Sequence, residues 1–118
     1  MRQASMQARV TCDYRTQYAN PIRFAIGEIV TLGARDSEWP AFIWTITPID
    51  GKAGWAPFDW LKPLGDDRAE ATRDYSAQEL DVAIGDDVVL RHELGGWWWC
   101  EHVDGRCGWV PADHLERT

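Results

Sequence analysis

GWAPFDWL, residues 54–61, returns near the end of the chain as GWVPADHL, residues 108–115. The correspondence continues upstream, where Tyr14 matches Tyr75 and AIGEIV at 25–30 matches AIGDDV at 83–88. The sequence offset between the copies is larger at the tyrosines than at the repeated GWxP. Because a period of about 50 residues indicates duplicated structural units, the chain contains two copies of one unit that differ in loop length.

The repeat predicts two domains of similar size, at residues 8–64 and 69–117. Between them lies Gly65-Asp66-Asp67-Arg68, a short polar segment that we interpret as a linker. Each unit is near the lower size limit of a self-sufficient domain, so its core must use few, large side chains. Eight tryptophans in 118 residues fit this requirement, because one aromatic side chain buries roughly 150–250 Å².

Short β-branched or aromatic segments alternate with turn residues in both units, which predicts strands rather than helices. The predicted strands include residues 28–32, 42–46, 87–91 and 97–103. The Asp-Gly pairs at 50–51 and 104–105 predict tight hairpins. The prolines of the repeated GWxP predict one-turn 3₁₀ helices at 57–60 and 111–114. The expected fold class is therefore all-β: two small, strongly bent five-stranded barrels in tandem, each with a short 3₁₀ turn.

The composition argues against several classes of function. A net charge of -7 with no basic cluster disfavours binding to nucleic acid or to anionic membranes. The amino-terminal residues carry no apolar signal segment, so we expect a cytoplasmic location. The Cys and His side chains at 100, 102, 107 and 114 lack zinc-ligand spacing, and no nucleophile–base arrangement stands out. We therefore expect no metal, no cofactor and no enzymatic activity.

Taken in order, these landmarks resemble the SH3 domain, present twice, and the GWVP and double-tryptophan segments resemble its bacterial SH3-like members. In the second unit the matching segments are ATRDY at 71–75, IGD at 84–86, GWWW at 96–99 and GWVP at 108–111. The resemblance covers nearly the whole chain. It implies a groove lined by a row of aromatic side chains that cradles a left-handed polyproline helix of a ligand.

Carried over position by position, the resemblance places this groove on one set of residues in each unit. In the first unit these are Tyr14, the loop residue Trp39, Phe42, Pro57 and Trp60. In the second unit they are Tyr75, Trp97 or its neighbour Trp98, Pro111 and His114. The family's first tyrosine is replaced by Cys12 and Arg73. The loop acids with which the family reads a ligand arginine are poorly matched in both units.

Period-two alternation along the strands adds Trp99 and Trp109 to the candidate peptide-binding residues. Trp97, Trp99 and Trp109 then share an outer face of the second unit, while Cys100 and Val110 point into the barrel. The first unit repeats the pattern, with Phe42, Trp44 and Trp55 outside and Thr45 and Ala56 inside. Exposed stacked aromatics mark an interaction surface, although cross-strand aromatic pairs also stabilise a small sheet.

The sequence therefore predicts a non-catalytic protein–protein interaction module that binds a peptide segment, proline-containing or otherwise apolar, through its aromatic grooves. One alternative is a structural scaffold in which the two barrels pack together and occlude the grooves. A second alternative is a cell-wall-binding module, a role that the bacterial resemblance implies and that the missing signal segment disfavours. The expected partner is a protein or peptide, with neither nucleic acid nor membrane involved.

Overall fold

The computed structural model describes residues 6–17 and 20–118. Within these residues the regular structure consists of β-strands and two 3₁₀ turns, without an α-helix, which confirms the all-β fold class. The strands are β1 (Met6–Val10), β2 (Arg23–Phe24), β3 (Ile29–Arg35), β4 (Phe42–Thr47), β5 (Lys52–Pro57), β6 (Leu61–Gly65), β7 (Arg68–Ala71), β8 (Tyr75–Ser76), β9 (Asp87–Leu94), β10 (Trp97–His102), β11 (Cys107–Pro111) and β12 (Leu115–Arg117). The 3₁₀ turns span Phe58–Trp60 and Ala112–His114, where the repeated prolines predict them.

The strands belong to two compact units. The central barrel consists of residues 20–77 and carries the five-stranded sheet β5-β4-β3-β7-β6, together with the two-stranded ribbon β2-β8. The terminal barrel combines residues that precede position 20 with residues 78–118, and it carries the five-stranded sheet β11-β10-β9-β1-β12. Neighbouring strands in both sheets are antiparallel. The expectation of two five-stranded barrels is confirmed.

The first strand of each sequence repeat lies in the barrel that the other repeat builds. β1, from the first repeat, pairs with β9 and β12 of the second repeat, and its Ala8 lies opposite Val88. β7, from the second repeat, pairs with β3 and β6 of the first repeat, and its Ala69 lies opposite Val30. In the sequence, the single segment that builds the central barrel therefore lies between the two segments that build the terminal barrel.

The segment that the sequence suggests as a linker is a tight hairpin turn instead. Asp66 and Asp67 adopt positive φ angles of 52° and 58°, the two consecutive left-handed residues that a type I′ turn requires. The turn joins β6 to β7, so the chain folds back into the same barrel rather than crossing to another one. For this reason the compact units of the fold differ from the expected domains at 8–64 and 69–117, which are the sequence repeats.

Each barrel has a core of its own, built by the alternation of side chains along its strands. In the terminal barrel the buried cluster contains Trp98, Cys100 and Val110. Burial raises the pKa of the Cys100 thiol to about 12, so Cys100 packs as an unreactive apolar side chain. In the central barrel Thr45 and Ala56 are fully buried. The inward positions predicted for Cys100, Val110, Thr45 and Ala56 are confirmed.

The two Asp-Gly hairpins also form where the sequence predicts them. Gly51, with a φ of 71°, lies in the turn between β4 and β5, and Gly105, with a φ of 94°, lies between β10 and β11. The second hairpin sets the register that places Trp97 opposite Pro111. Among the described residues, no helix has the length and apolar content needed to span a membrane.

Candidate functional site

Three rings from three separate elements converge on one side of the terminal barrel. The Tyr14 ring lies 5.7 Å from the Trp97 ring and 5.6 Å from the His114 ring between centroids, in edge-to-face arrangements. Pro111 lies opposite Trp97 in the β10–β11 hairpin and is buried. We call this set, Tyr14, Trp97, Pro111 and His114, the terminal groove. Its tyrosine comes from the first sequence repeat and its other members come from the second.

Strand alternation and the 3₁₀ turn position the terminal groove. Trp98 is only 8% exposed and belongs to the core, whereas Trp97 is half-buried on the opposite face of β10. Of the two alternatives left open by the sequence, Trp97 is therefore the one that lies beside Tyr14. The 3₁₀ turn brings His114 back to the first strand, because the Thr11 amide donates to the His114 carbonyl at 2.8 Å.

The carboxylates of Glu79 and Asp81 accompany the terminal groove. The Tyr14 hydroxyl donates to Glu79 Oε1 at 2.7 Å, and the Gln17 amide donates to the same oxygen at 3.2 Å. The Thr16 amide donates to Asp81 Oδ1 at 2.7 Å. These acids follow Tyr75 in the sequence but lie beside Tyr14 in the fold. The sequence analysis missed them as groove neighbours because the repeat pattern alone does not reveal that the first strands are exchanged.

His114 closes the terminal groove as an aromatic wall. Its side chain is 27% exposed, and its Nε2 lies 3.7 Å from Asp113 Oδ1. Its Nδ1 is buried and has no hydrogen-bond partner among the residues that the structure describes. The side that the imidazole offers to a ligand is its partly exposed edge near Asp113.

The central barrel holds the matching set of Phe42, Pro57, Trp60 and Tyr75, which we call the central groove. The Tyr75 and Trp60 rings meet edge to face at 5.7 Å. The Tyr75 hydroxyl donates to the Trp55 carbonyl at 3.2 Å. Phe42 and Tyr75 are each 8% exposed and Pro57 is buried. Trp60 therefore offers most of the aromatic surface that this set leaves accessible.

The two grooves differ in the charge of their surroundings. In the central barrel the Arg73 guanidinium carbon lies 5.1 Å from the centroid of the Trp60 ring, a cation–π contact. Arg73 occupies the repeat position of Cys12 in the terminal barrel. The offset that aligns the two AIG segments also aligns Pro21 with Glu79 and Arg23 with Asp81. The terminal groove thus has acids where the equivalent positions of the central barrel carry a proline and an arginine.

The structure regroups the residues that the sequence analysis assigned to each groove. The sequence repeats predict that Tyr75 lines one groove with Trp97, Pro111 and His114. They predict that Tyr14 lines the other groove with the residues of the first repeat. That grouping is wrong, because β1 and β7 are exchanged and each carries its tyrosine into the other barrel.

The remaining candidate tryptophans are Trp39, Trp99 and Trp109. Trp99 lies directly opposite Trp109, and their rings meet edge to face at 5.3 Å. Trp109 is only 6% exposed, so the expected outer face of three accessible tryptophans does not form. Trp39 is half-buried in the loop between β3 and β4. The part of the chain that the structure describes contains no group of three or more His, Cys, Asp or Glu side chains arranged to hold a metal ion.

Comparison with known proteins agrees with the two-fold repeat. A family model described as a variant SH3 domain matches residues 7–64 and 69–117. The chain is 38% identical over 50 residues to "SH3 and PX domain-containing protein 2A" of Danio rerio, covering 37% of this chain and 4% of that protein. It is 45% identical over 38 residues to "Protein arginine N-methyltransferase 2" of Xenopus laevis, covering 31% of this chain and 9% of that protein. The chain thus matches only a small part of the length of either relative.

Proposed function

The chain belongs to the variant SH3 domain family, whose domains are non-catalytic modules that mediate protein–protein interactions, and we propose that its terminal groove binds a peptide segment of a partner protein. The observation that carries this proposal is the convergence of the Trp97 and His114 rings on Tyr14, at 5.7 and 5.6 Å between ring centroids. Grooves walled by aromatic rings suit the polyproline II helix, whose extended shape is already formed before binding.

The charge beside the terminal groove supports a ligand that carries a basic residue. Glu79 and Asp81 lie in the segment of residues 78–82, which we call the arm and which contacts Tyr14 and Thr16. A carboxylate that accepts one hydrogen bond from an amide or a hydroxyl group still has further lone pairs with which it can accept others. An arginine or lysine next to the ligand prolines would meet these acids through charge-assisted hydrogen bonds. The preferred ligand is therefore a proline-containing peptide with a flanking basic side chain.

A structural role is the second candidate function, and it applies to the central groove. Phe42, Pro57 and Tyr75 are nearly inaccessible there, and Arg73 lies over the Trp60 ring. A ligand would have to displace this guanidinium before it could stack on Trp60. We therefore assign peptide binding to the terminal groove first, and we assign a scaffold role to the central barrel.

The test compares tryptophans on the same strand of the full chain. Trp97→Ala removes a wall of the terminal groove, whereas Trp99→Ala, further along the same face, serves as the matched control. Binding of a synthetic Pro-x-x-Pro peptide with a flanking arginine is measured by calorimetry. Because anchor residues often contribute more than about 2 kcal/mol, Trp97→Ala should weaken binding roughly thirtyfold, while Trp99→Ala should change it little. Circular dichroism checks that both variants fold.

Three outcomes separate the candidate functions. Equal losses in Trp97→Ala and Trp99→Ala, with both variants folded, would move the binding surface from the groove to the wider tryptophan face. Loss of peptide binding in Trp60→Ala, without loss in Trp97→Ala, would assign binding to the central groove. No saturable binding by the unmodified chain, at millimolar peptide, would favour the scaffold.

A further inference from the structure

The exchanged strands carry opposite charges at equivalent positions. Arg9 in β1 and Glu70 in β7 are related by the same sequence offset as the two tyrosines. In the terminal barrel Arg9 lies opposite Asp87 of β9 on one side and opposite Glu116 of β12 on the other. Its Nε forms an ion pair with Asp87 Oδ1 at 3.4 Å. Arg9 thus stands between two acids.

Glu70 stands in the complementary environment. In the central barrel it lies opposite Ile29 of β3 and opposite Lys62 of β6. Lys62 and Glu116 occupy equivalent positions, each directly after the leucine that ends the repeated GWxP segment. The last strand of each repeat therefore presents a charge that matches the first strand of the other repeat.

In direct pairing, each first strand would lie in the barrel that its own repeat builds. Each of these pairs of opposite charges would then be replaced by a pair of like charges. Glu70 would then lie between Asp87 and Glu116, and Arg9 would lie between Ile29 and Lys62. Like charges directly opposite one another on antiparallel strands are destabilising, whereas opposite charges are stabilising. The exchanged arrangement satisfies the pattern on both strands, and the direct arrangement violates it on both.

The residues that follow each first strand also favour the exchanged pairing. Tyr14 lies opposite Val82, and the antiparallel register assigns the next pair of positions to Arg15 and Asp81. The Arg15 guanidinium donates to the Val82 carbonyl at 3.1 Å, and the Thr16 amide donates to Asp81 Oδ1. In the central barrel Arg23 lies opposite Ser76. Direct pairing would place Arg15 opposite Arg23, because Arg23 is the repeat equivalent of Asp81.

The apolar positions of the two first strands distinguish the exchanged pairing from direct pairing less clearly than the charged positions do. Ala8 and Ala69 are identical at equivalent positions, and both are buried. The next inward residues are Val10 and Ala71, which are also small and buried. Either strand thus presents a small apolar face to either barrel, so the outward-facing charges are the stronger distinguishing feature.

We propose that the charges of Arg9 and Glu70 select which barrel each first strand enters, and thereby which tyrosine completes which groove. Arg9 directs Tyr14 to the acidic terminal groove, and Glu70 directs Tyr75 to the central groove. The Arg9 and Asp87 side chains are 58% and 63% exposed, so each pair acts weakly and the selection depends on several pairs of the same sense. The inference concerns assembly of the grooves and stands whether or not a peptide binds there.

Engineered cysteines in the full chain can report the two pairings. Cys12 is exposed and Cys107 is partly exposed, so both are first replaced by serine. Gln7 lies opposite Val89 in the exchanged arrangement, and Gln7→Cys with Val89→Cys reports it. Thr31 lies opposite Arg68, the repeat equivalent of Gln7, so Gln7→Cys with Thr31→Cys reports direct pairing. Directly opposite residues have Cα atoms about 4.5–5.5 Å apart, within the range that a disulfide accepts.

We expect the first reporter to form a disulfide within the monomer and the second to remain reduced. Reversing both charges, Arg9→Glu with Glu70→Arg, should shift the ratio of the two cross-links toward direct pairing by about tenfold or more, because several cross-strand relations change sign together. The matched control reverses Arg91 and Glu101, an ion pair at 2.9 Å within the terminal barrel, and it should leave the ratio unchanged.

Two results would overturn the proposal. One is a predominant cross-link between positions 7 and 31 in the chain with its native charges. The other is a cross-link ratio that stays constant when the charges are reversed. If the reversed variant does not fold, the neutral variant Arg9→Gln with Glu70→Gln replaces it. That variant must also shift the ratio toward direct pairing, and a constant ratio there counts against the proposal.

Discussion

Single residues at equivalent repeat positions face different surroundings, and the two glycines of GWxP show this most clearly. A Cβ on Gly108 would lie 2.7 Å from the Glu79 carbonyl carbon and 2.8 Å from the Leu80 nitrogen, both backbone atoms. A Cβ on Gly54 would meet only the Ile22 side chain, at 3.4 Å. The close approach at Gly108 occurs where the arm that carries Glu79 crosses β11. The terminal barrel therefore requires glycine at this position, and the central barrel does not.

Gly108→Ala should consequently destabilise the terminal barrel, while Gly54→Ala serves as the repeat-matched control. Overpacking against backbone that cannot move aside costs about 1–3 kcal/mol. At Gly54 the added methyl is in ordinary contact, so the change in stability should stay within about 1 kcal/mol. Urea denaturation of the two variants measures the difference. Equal stabilities would mean that the arm does not cross β11 as closely as the structure shows.

Residue-level patterns also show what sequence reasoning can supply. Alternation along β10 correctly separates Trp98 and Cys100, which face the core, from Trp97 and Trp99. The same alternation gives Trp109 an outward direction but cannot reveal what covers it. The Trp109 amide donates to the Gln78 carbonyl, and the Leu80 amide donates to the Trp109 carbonyl. The rings of His92 and Trp99 pack against the Trp109 indole, and such burial depends on tertiary contacts.

The turns show why some sequence-based predictions are correct and others are wrong. Asp-Gly at 50–51 and at 104–105 predicts hairpins, because glycine adopts positive φ without strain. Asp66-Asp67 carries no such signal, although it forms the turn that fixes the topology of the central barrel. Aspartate tolerates the left-handed region better than most residues, but it does so too rarely for the sequence to identify a turn. The polar segment therefore suggested a linker, and the strand exchange was missed with it.

The turn leads to a prediction with opposite signs for two double variants. Asp66→Asn with Asp67→Gly supplies the preferred type I′ pair and should stabilise the central barrel by about 0.5–1 kcal/mol. Asp66→Ala with Asp67→Ala keeps the turn length but places two alanines at positive φ, which costs roughly 1–2 kcal/mol per residue. Thermal unfolding followed by circular dichroism gives both signs. If neither variant changes the unfolding temperature, the segment is a flexible linker after all.

At the scale of the whole molecule, the segment that builds the central barrel interrupts, in the sequence, the two segments that build the terminal barrel, and the repeat cannot predict this order. The repeat correctly indicates the number of barrels, the strand content and the hairpins. It cannot indicate which first strand enters which barrel, since both first strands have nearly the same apolar pattern. That information resides in charges on opposite strands, such as Arg9 with Asp87 and Glu70 with Lys62, which become meaningful only once the pairing is known.

The insertion predicts that residues 20–77 fold by themselves, whereas residues 7–64 do not. The first fragment contains every strand of the central barrel. The second fragment lacks β7 and would have to place Arg9 opposite Lys62. Calorimetry on the two fragments should show a cooperative transition for 20–77 and a much weaker one, or none, for 7–64. A cooperative transition for 7–64 at equal or higher temperature would show that direct pairing is the stable arrangement.

An NMR titration of the full chain shows directly whether the groove that the exchanged Tyr14 completes binds a peptide. The ligand is the Pro-x-x-Pro peptide with a flanking arginine. We expect saturable chemical-shift changes that follow one binding curve at Tyr14, Trp97 and His114. Changes at Tyr75 together with Trp97, while Tyr14 stays unchanged, would contradict the exchange. The absence of saturable changes at these residues, even at millimolar peptide, would contradict the proposed function.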